Sequence, residues 1–88
     1  MLDRLTLDQL RTLVVVAETG SFSAAGRQLR RVQSAISQTV QALEATLGIA
    51  LFDRTGKIPT LTEAGKALLP DARRLIAGAE ALRARAES

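Results

Sequence analysis

The chain of 88 residues contains no Cys, no His, no Trp and no Tyr, and only two Phe. Without His or Cys it cannot build a Ser/His/Asp or Cys/His nucleophile system. The same absence excludes a zinc site of the usual Cys/His kind, a disulfide framework and a redox thiol. Its nine acidic residues stand singly, with no two carboxylates paired at a helical or strand spacing. No enzyme, metal or cofactor chemistry is expected, and the composition points to a cytosolic binding module. Two Pro and six Gly leave no flexible linker, and no internal repeat divides the chain, so one modest core is expected. The longest uncharged stretch near the N-terminus, Thr12 to Ala17, is far short of the roughly 20 apolar residues that span a membrane. A signal-peptide pattern is absent as well.

What is present is a small positive excess, 12 Lys and Arg against 9 Asp and Glu, for a net charge of +3. Its distribution says more than its sum. Residues 1–22 are slightly acidic, whereas Arg27, Arg30, Arg31, Arg54 and Lys57 face only Glu44 and Asp53 between residues 23 and 60. A polyanion would sit against that middle segment, although a solvated basic face has the same composition.

Apolar periodicity predicts four helices. Thr6-Leu7-Asp8-Gln9 has the form of a capping box. Behind it Leu10, Leu13, Val14 and Ala17 fall on one helical face, and Gly20 is a stop signal. In the second helix Phe22, Ala25, Gly26 and Leu29 share a face, with Ser23 as the expected N-cap and Phe22 before it as a hydrophobic staple. Gly26 costs up to about 1 kcal/mol against Ala in a helix, so a close packing contact is expected there. The third helix runs from Gln33 to Leu47, with Ile36, Val40, Leu43 and Leu47 on its apolar face and Gly48 at its end.

The opposite face of that third helix is the informative one. Ser34, Ser37, Gln38 and Gln41 line it beside Gln33, with no Lys or Glu in the first two turns. An amide side chain can donate to and accept from adenine in the major groove at once. A polar, uncharged surface helix is the bland alternative. A short helix rich in small residues, a tight turn and a second helix with a readable polar face form a helix-turn-helix, spanning about residues 22–41. Arg27, Arg30 and Arg31 would then stand near phosphates.

Between residues 51 and 62, Leu51-Phe52 and Ile58 to Leu61 flank a polar Gly-containing turn, which reads as a two-stranded hairpin. Arg54 and Lys57 stand at its tip, where a wing would meet the DNA backbone or minor groove. From Thr62 onward the pattern is one long helix, residues 63–88, capped by Thr62. Leu68, Leu75 and Leu82 recur every seven residues, as do Ala72, Ala79 and Ala86, and Ile76 widens the stripe. With Leu69 also widening the stripe, one side can pack on its own domain while another meets a second copy. Pro70 inside it removes one backbone hydrogen bond and predicts a bend.

In family order and spacing, the residues Ala17-Glu18-Thr19-Gly20-Ser21-Phe22-Ser23-Ala24-Ala25, Gln33-Ser34-Ala35-Ile36-Ser37-Gln38, Leu43-Glu44, Leu47-Gly48, Leu51-Phe52-Asp53-Arg54 and Leu61-Thr62-Glu63-Ala64-Gly65 resemble the N-terminal domain of LysR-type transcriptional regulators. The resemblance implies a mainly α fold: a winged helix-turn-helix over residues 1–62, with three helices plus a short two-stranded wing, followed by a long dimerisation linker helix. It implies a bacterial, cytoplasmic, nucleoid-associated regulator that binds duplex DNA as a homodimer, with tetramers in a full-length protein. By the same pattern Gln33, Ser34, Ser37 and Gln38 read bases and backbone, Ser21 and Ser23 approach phosphate, and Arg54 is the wing arginine. The small-molecule effector of such regulators belongs to a further domain, absent from these residues.

Three positions depart from the family pattern. Arg31 stands where an apolar residue is usual, and Val32 where a hydroxyl cap is usual, a loss worth on the order of 1 kcal/mol. Val32 is therefore expected to take over the apolar role in the core. Ser34 replaces a frequent Pro and is expected to hydrogen-bond near the helix start, and Leu13 replaces a frequent Phe. The rival reading is a helical protein-interaction module that binds no DNA, which leaves the Ser/Gln face and the wing without a purpose.

Overall fold

The computed structural model describes residues 4–88, so the first three residues of the 1–62 domain lie outside the described part. Along the chain come α1 (Leu7–Thr19), α2 (Phe22–Leu29), α3 (Gln33–Leu47), β1 (Phe52–Asp53), β2 (Thr60–Leu61) and α4 (Glu63–Glu87). The two strands pair antiparallel, Phe52 opposite Leu61 and Asp53 opposite Thr60. The architecture is the expected mainly helical one, with a two-stranded wing.

α1 starts on the predicted capping box. The Thr6 hydroxyl accepts from the Gln9 N–H at 3.1 Å, while the Gln9 side chain accepts from the Thr6 N–H at 3.0 Å. Gly20, at φ 72°, ends the helix in the left-handed region, which glycine enters without strain. Packed against α2, α3 and α4, α1 is covered from several sides. Its buried residues are Leu10, Thr12, Leu13, Val15 and Val16, a broader set than the predicted stripe, and Val14 and Ala17 are only partly covered. Thr12 is fully buried because its hydroxyl donates to the Asp8 carbonyl at 2.8 Å, so no polar group is left without a partner.

The N-cap of α2 is Ser21, not the expected Ser23: the Ser21 hydroxyl accepts from the Ala24 N–H at 3.0 Å. Phe22 is therefore the first helical residue rather than a staple ahead of the cap. The helix ends on Arg30 in the left-handed conformation at φ 59°, and the Arg31 N–H donates to the Gly26 carbonyl at 2.8 Å. This tight turn explains Gly26. A Cβ there would lie 2.6 Å from the Arg31 carbonyl oxygen, closer than packing permits.

Ile36, Val40 and Leu43 of α3 are fully buried, and Leu47 is left on the surface. Val32 at its N-cap makes no side-chain cap and is 69% exposed, so it does not enter the core as expected. Arg31 instead reaches back to α1, where its guanidinium holds both Asp8 oxygens, one at 2.9 Å. That ion pair ties down the turn, and Val32 is left outside. Ser34 is exposed, and among the described residues its hydroxyl makes none of the hydrogen bonds expected at the helix start.

Thr62 caps α4 as predicted, accepting from the Gly65 N–H at 3.0 Å, and also donates to the Ala50 carbonyl at 2.7 Å. The helix runs without interruption through Pro70 to Glu87. Ala72 is 3% exposed and lies in the core of its own chain, with Leu68, Leu69 and Ile76 packed against that core. One side of the stripe thus packs on its own domain, which removes Leu68, Ala72 and Ile76 from the residues expected at the seam, while Leu75 and Leu82 are 53% and 65% exposed.

Candidate nucleic-acid interface

α2 and α3 meet across the Arg30–Val32 turn, and the wing stands beside the start of α3. Between them runs a groove of mixed polar and apolar lining. One part, of about 210 Å³, is lined by Phe22, Gln33, Ser37, Arg54, Gly56, Lys57 and Pro59. A neighbouring part of about 180 Å³ adds Ser21, Ser23 and Ile58. The fold therefore brings together one end of the Ser/Gln face, the start of α2 and the wing. Gln33, Ser34, Gln38 and Gln41 are exposed along α3, and Ser37 is half-buried.

The five basic residues of this region differ in how free they are. Arg30 and Lys57 point into solvent with no ion-pair partner among the described residues, and Arg27 donates to the Ser23 hydroxyl at 3.0 Å. Arg31 is held by Asp8, and its hydrogen bond keeps that carboxyl below the usual carboxylate range. Arg54 folds back against Ser37, Glu44 and Phe22 and does not project from the wing tip. Ser21 is occupied as the α2 cap. The predicted phosphate contacts are therefore of two kinds: Arg27, Arg30 and Lys57 face outward, whereas Arg31 and Arg54 have partners inside the protein.

The wing is shaped by two carboxylates. Asp53 accepts from the Thr55 N–H at 2.9 Å and the Thr55 hydroxyl at 2.7 Å, which folds the chain into the tip. The backbone N–H of Thr55, with its hydroxyl second, holds the Asp53 carboxyl below the usual range. Glu44, seven residues before Leu51, accepts from the N–H groups of Leu51 and Phe52 at 2.7 and 3.2 Å, fixing β1 to α3. Among the described residues no cluster of three or more potential ligands could hold a metal ion, and no helix is long and apolar enough to cross a membrane.

The family model for bacterial regulatory helix-turn-helix proteins of the lysR family matches residues 7–66. The chain belongs to that family. A HTH-type transcriptional regulator in the ibpB-leuC intergenic region of Azotobacter vinelandii is 51% identical over 70 residues, covering 80% of this chain and 49% of the relative. The HTH-type regulator ClcR of Pseudomonas putida is 45% identical over 80 residues, covering 91% of this chain and 27% of the relative. The chain thus spans half or less of the length of these two relatives. Among solved structures, the DNA-binding domain of CbnR in its complex with DNA superposes with a TM-score of 0.82 at 41% identity, covering 94% of this chain and 98% of that one. The lysR-family relatives are transcriptional regulators, not enzymes, in keeping with a chain that lacks His and Cys.

Within this lysR-family domain, Phe22, Glu44 and Asp8 shape the interface without having been singled out as site residues by the sequence. Glu44 carried a weak signal, since it falls in the Leu43-Glu44 motif at the end of the readable helix. Phe22 falls in the Ser21-Phe22-Ser23 part of a family motif, but nothing pointed to its contact with Arg54, 32 residues away, or to that of Asp8 with Arg31, 23 residues away.

Proposed function

We propose that this chain is the DNA-binding part of a regulator, and that it reads duplex DNA as a homodimer with α3 in the major groove. One observation carries the reading: an exposed helix face made of Gln33, Ser34, Gln38 and Gln41, uncharged, with the outward cations Arg27, Arg30 and Lys57 to either side of its start. Amide and hydroxyl groups discriminate base edges, whereas flanking cations add sequence-independent attraction to phosphate. Family membership and the likeness to the CbnR domain, whose structure is a DNA complex, support the same assignment. The wing would lie on the backbone or minor groove.

Dimerisation through the exposed part of α4 gives two recognition helices, with half-sites about one helical turn apart or a multiple of that. We place the protein in the bacterial cytoplasm, on the nucleoid. In the whole regulator a small-molecule effector, and association into tetramers, would belong to the length of the relatives that this chain does not cover.

The test is duplex binding across a salt series. The chain should bind a duplex recovered from a random pool, with an affinity that falls steeply as salt rises. Gln38→Ala should reduce the preference for that duplex over a scrambled one by about tenfold, and Lys57→Ala should weaken both alike. A chain that shows no salt-sensitive duplex binding is a protein-interaction module instead.

A further inference from the structure

We infer that Arg54 is a positioning residue for base readout, its charge engaged inside the protein and not on a DNA phosphate. The inference rests on the DNA-binding reading above and revises what a wing arginine would be expected to do. The Arg54 guanidinium carbon lies 4.7 Å from the centroid of the Phe22 ring. One nitrogen donates to the Ser37 hydroxyl at 3.4 Å, and another stands 3.7 Å from a Glu44 carboxylate oxygen. A residue of the wing is thereby joined to the first residue of α2 and to two turns of α3.

Each partner is itself held. Phe22 meets the edge of Phe52 at 5.8 Å between ring centroids, with the planes at 64°. The second Glu44 oxygen accepts both backbone N–H groups at the start of the wing. The carboxylate therefore cannot swing away, and its other oxygen stays toward Arg54. Only 18% of the Glu44 side chain and 31% of the Arg54 side chain remain exposed. A planar guanidinium can stack on a ring and direct two nitrogens along its edges, which an ammonium group cannot.

Two consequences separate this role from that of a phosphate contact. Counterion release counts charges that neutralise phosphate, so a cation already facing Glu44 adds little to the salt dependence. Ser37 lies on the readable face between Gln33 and Gln41, at the edge nearest the wing, and its hydroxyl is held by Arg54. Loss of Arg54 should therefore blur base discrimination while the electrostatic attraction to any duplex is retained.

The experiment uses the 88-residue chain, a duplex recovered from a random pool by the unmodified chain, and a scrambled duplex of the same composition, across a salt series. Arg54→Ala should lose about tenfold on the recovered duplex and less than about threefold on the scrambled one. Its salt slope should stay within about half a unit of the unmodified chain. The double variant of Arg54→Ala and Ser37→Ala should bind no more weakly than Arg54→Ala alone, because the hydroxyl no longer acts once its holder is gone. Arg54→Lys keeps the charge and is the second probe if Arg54→Ala melts early. It should behave like the Ala variant. A slope that falls by about 0.9, equal losses on both duplexes, or full rescue by Lys would each overturn the inference. No salt-sensitive binding by the unmodified chain would sink the DNA reading itself, which is a distinguishable failure.

Discussion

From Glu63 to Ile76, α4 lies along α1 and the wing, with Gly65 and Ala72 buried and Leu68, Leu69 and Ile76 packed on the core. From Ala77 to Glu87 none of its residues is buried, and only Ala79 is partly covered. The seven-residue column Leu68, Leu75, Leu82 crosses both halves. Its first member is partly covered, its second is 53% exposed and its third 65% exposed. A helix of 25 residues is about 37 Å long, more than the 27 and 20 Å of the molecule's two shorter axes, and from Ala77 on it leaves the cover of the body. Periodicity thus reports which residues share a stripe, but only the fold decides what covers each part of it.

The sharpest way to break this comparison is to place the same substitution in both halves. A Cβ at Gly65 would run into the Leu51 carbonyl and come 2.9 Å from the Leu61 side chain, whereas one at Gly78 meets nothing within 4 Å. Gly65→Ala should therefore destabilise the fold by about 2–3 kcal/mol, because overpacking outweighs the better helix propensity. Gly78→Ala should stabilise it by up to about 1 kcal/mol. Thermal melts of the two variants should move in opposite directions. A shared sign would mean that Gly65 is not wedged against the wing.

The next effect concerns the proposed dimer. Leu75 and Leu82 with Ala79 form the part of the stripe that the chain itself leaves open. Leu75→Arg should raise the dimer dissociation constant by about a hundredfold or more, since a charge would be buried in the seam. Its effect on the melting of the monomer should be small, because Leu75 is already half exposed. Ile76→Arg, one residue on, should instead unfold the body against which Ile76 packs. Sedimentation separates the two outcomes. A persistent Leu75→Arg dimer would put the seam elsewhere.

Local chemistry is what could be read along the chain. The capping box at Thr6, the cap at Thr62, the helix ends at Gly20 and at Gly48, which is left-handed at φ 74°, and the bounds of α3 all depend on residues within about one turn of each other. Ser21 and Ser23 defeat that reading, because both are hydroxyls beside an apolar residue and only the path of the chain out of Gly20 selects the first. Val32 fails for a different reason. Its burial depended on where Arg31 would go, and Arg31 found Asp8, 23 residues earlier. The polar face of α3 was legible as a candidate site because it lies on one helix. The commitment of Arg54 to Phe22, Ser37 and Glu44 was not, because it exists only once the wing is folded onto two helices.

That long-range pairing supplies the smallest and most selective prediction. Arg31–Asp8 joins α1 to the turn before α3, as Arg73–Glu18 joins α4 to α1, whereas Lys66–Glu63, Arg74–Asp71 and Arg83–Glu87 span three or four residues within α4. An exposed pair within a helix contributes a few tenths of a kcal/mol at most. Asp8 adds a two-point contact with Arg31 and a favourable position in the first turn of α1. Since its side chain is 47% exposed, solvent screening limits the loss in Asp8→Asn to about 1 kcal/mol. Hydrogen bonding to Arg31 lowers the folded-state pKa of Asp8. Its stabilisation is therefore complete above the unfolded carboxyl pKa of about 4 and is lost as the pH falls through the folded value. Melting curves of Asp8→Asn and the unmodified chain should differ by a few degrees at neutral pH and converge in acid. Glu87→Gln, which removes only an exposed pair within α4, should move the melting temperature at neutral pH by no more than about a degree. A gap for Asp8→Asn that persisted in acid would mean that the carboxylate charge is not what ties the turn to α1.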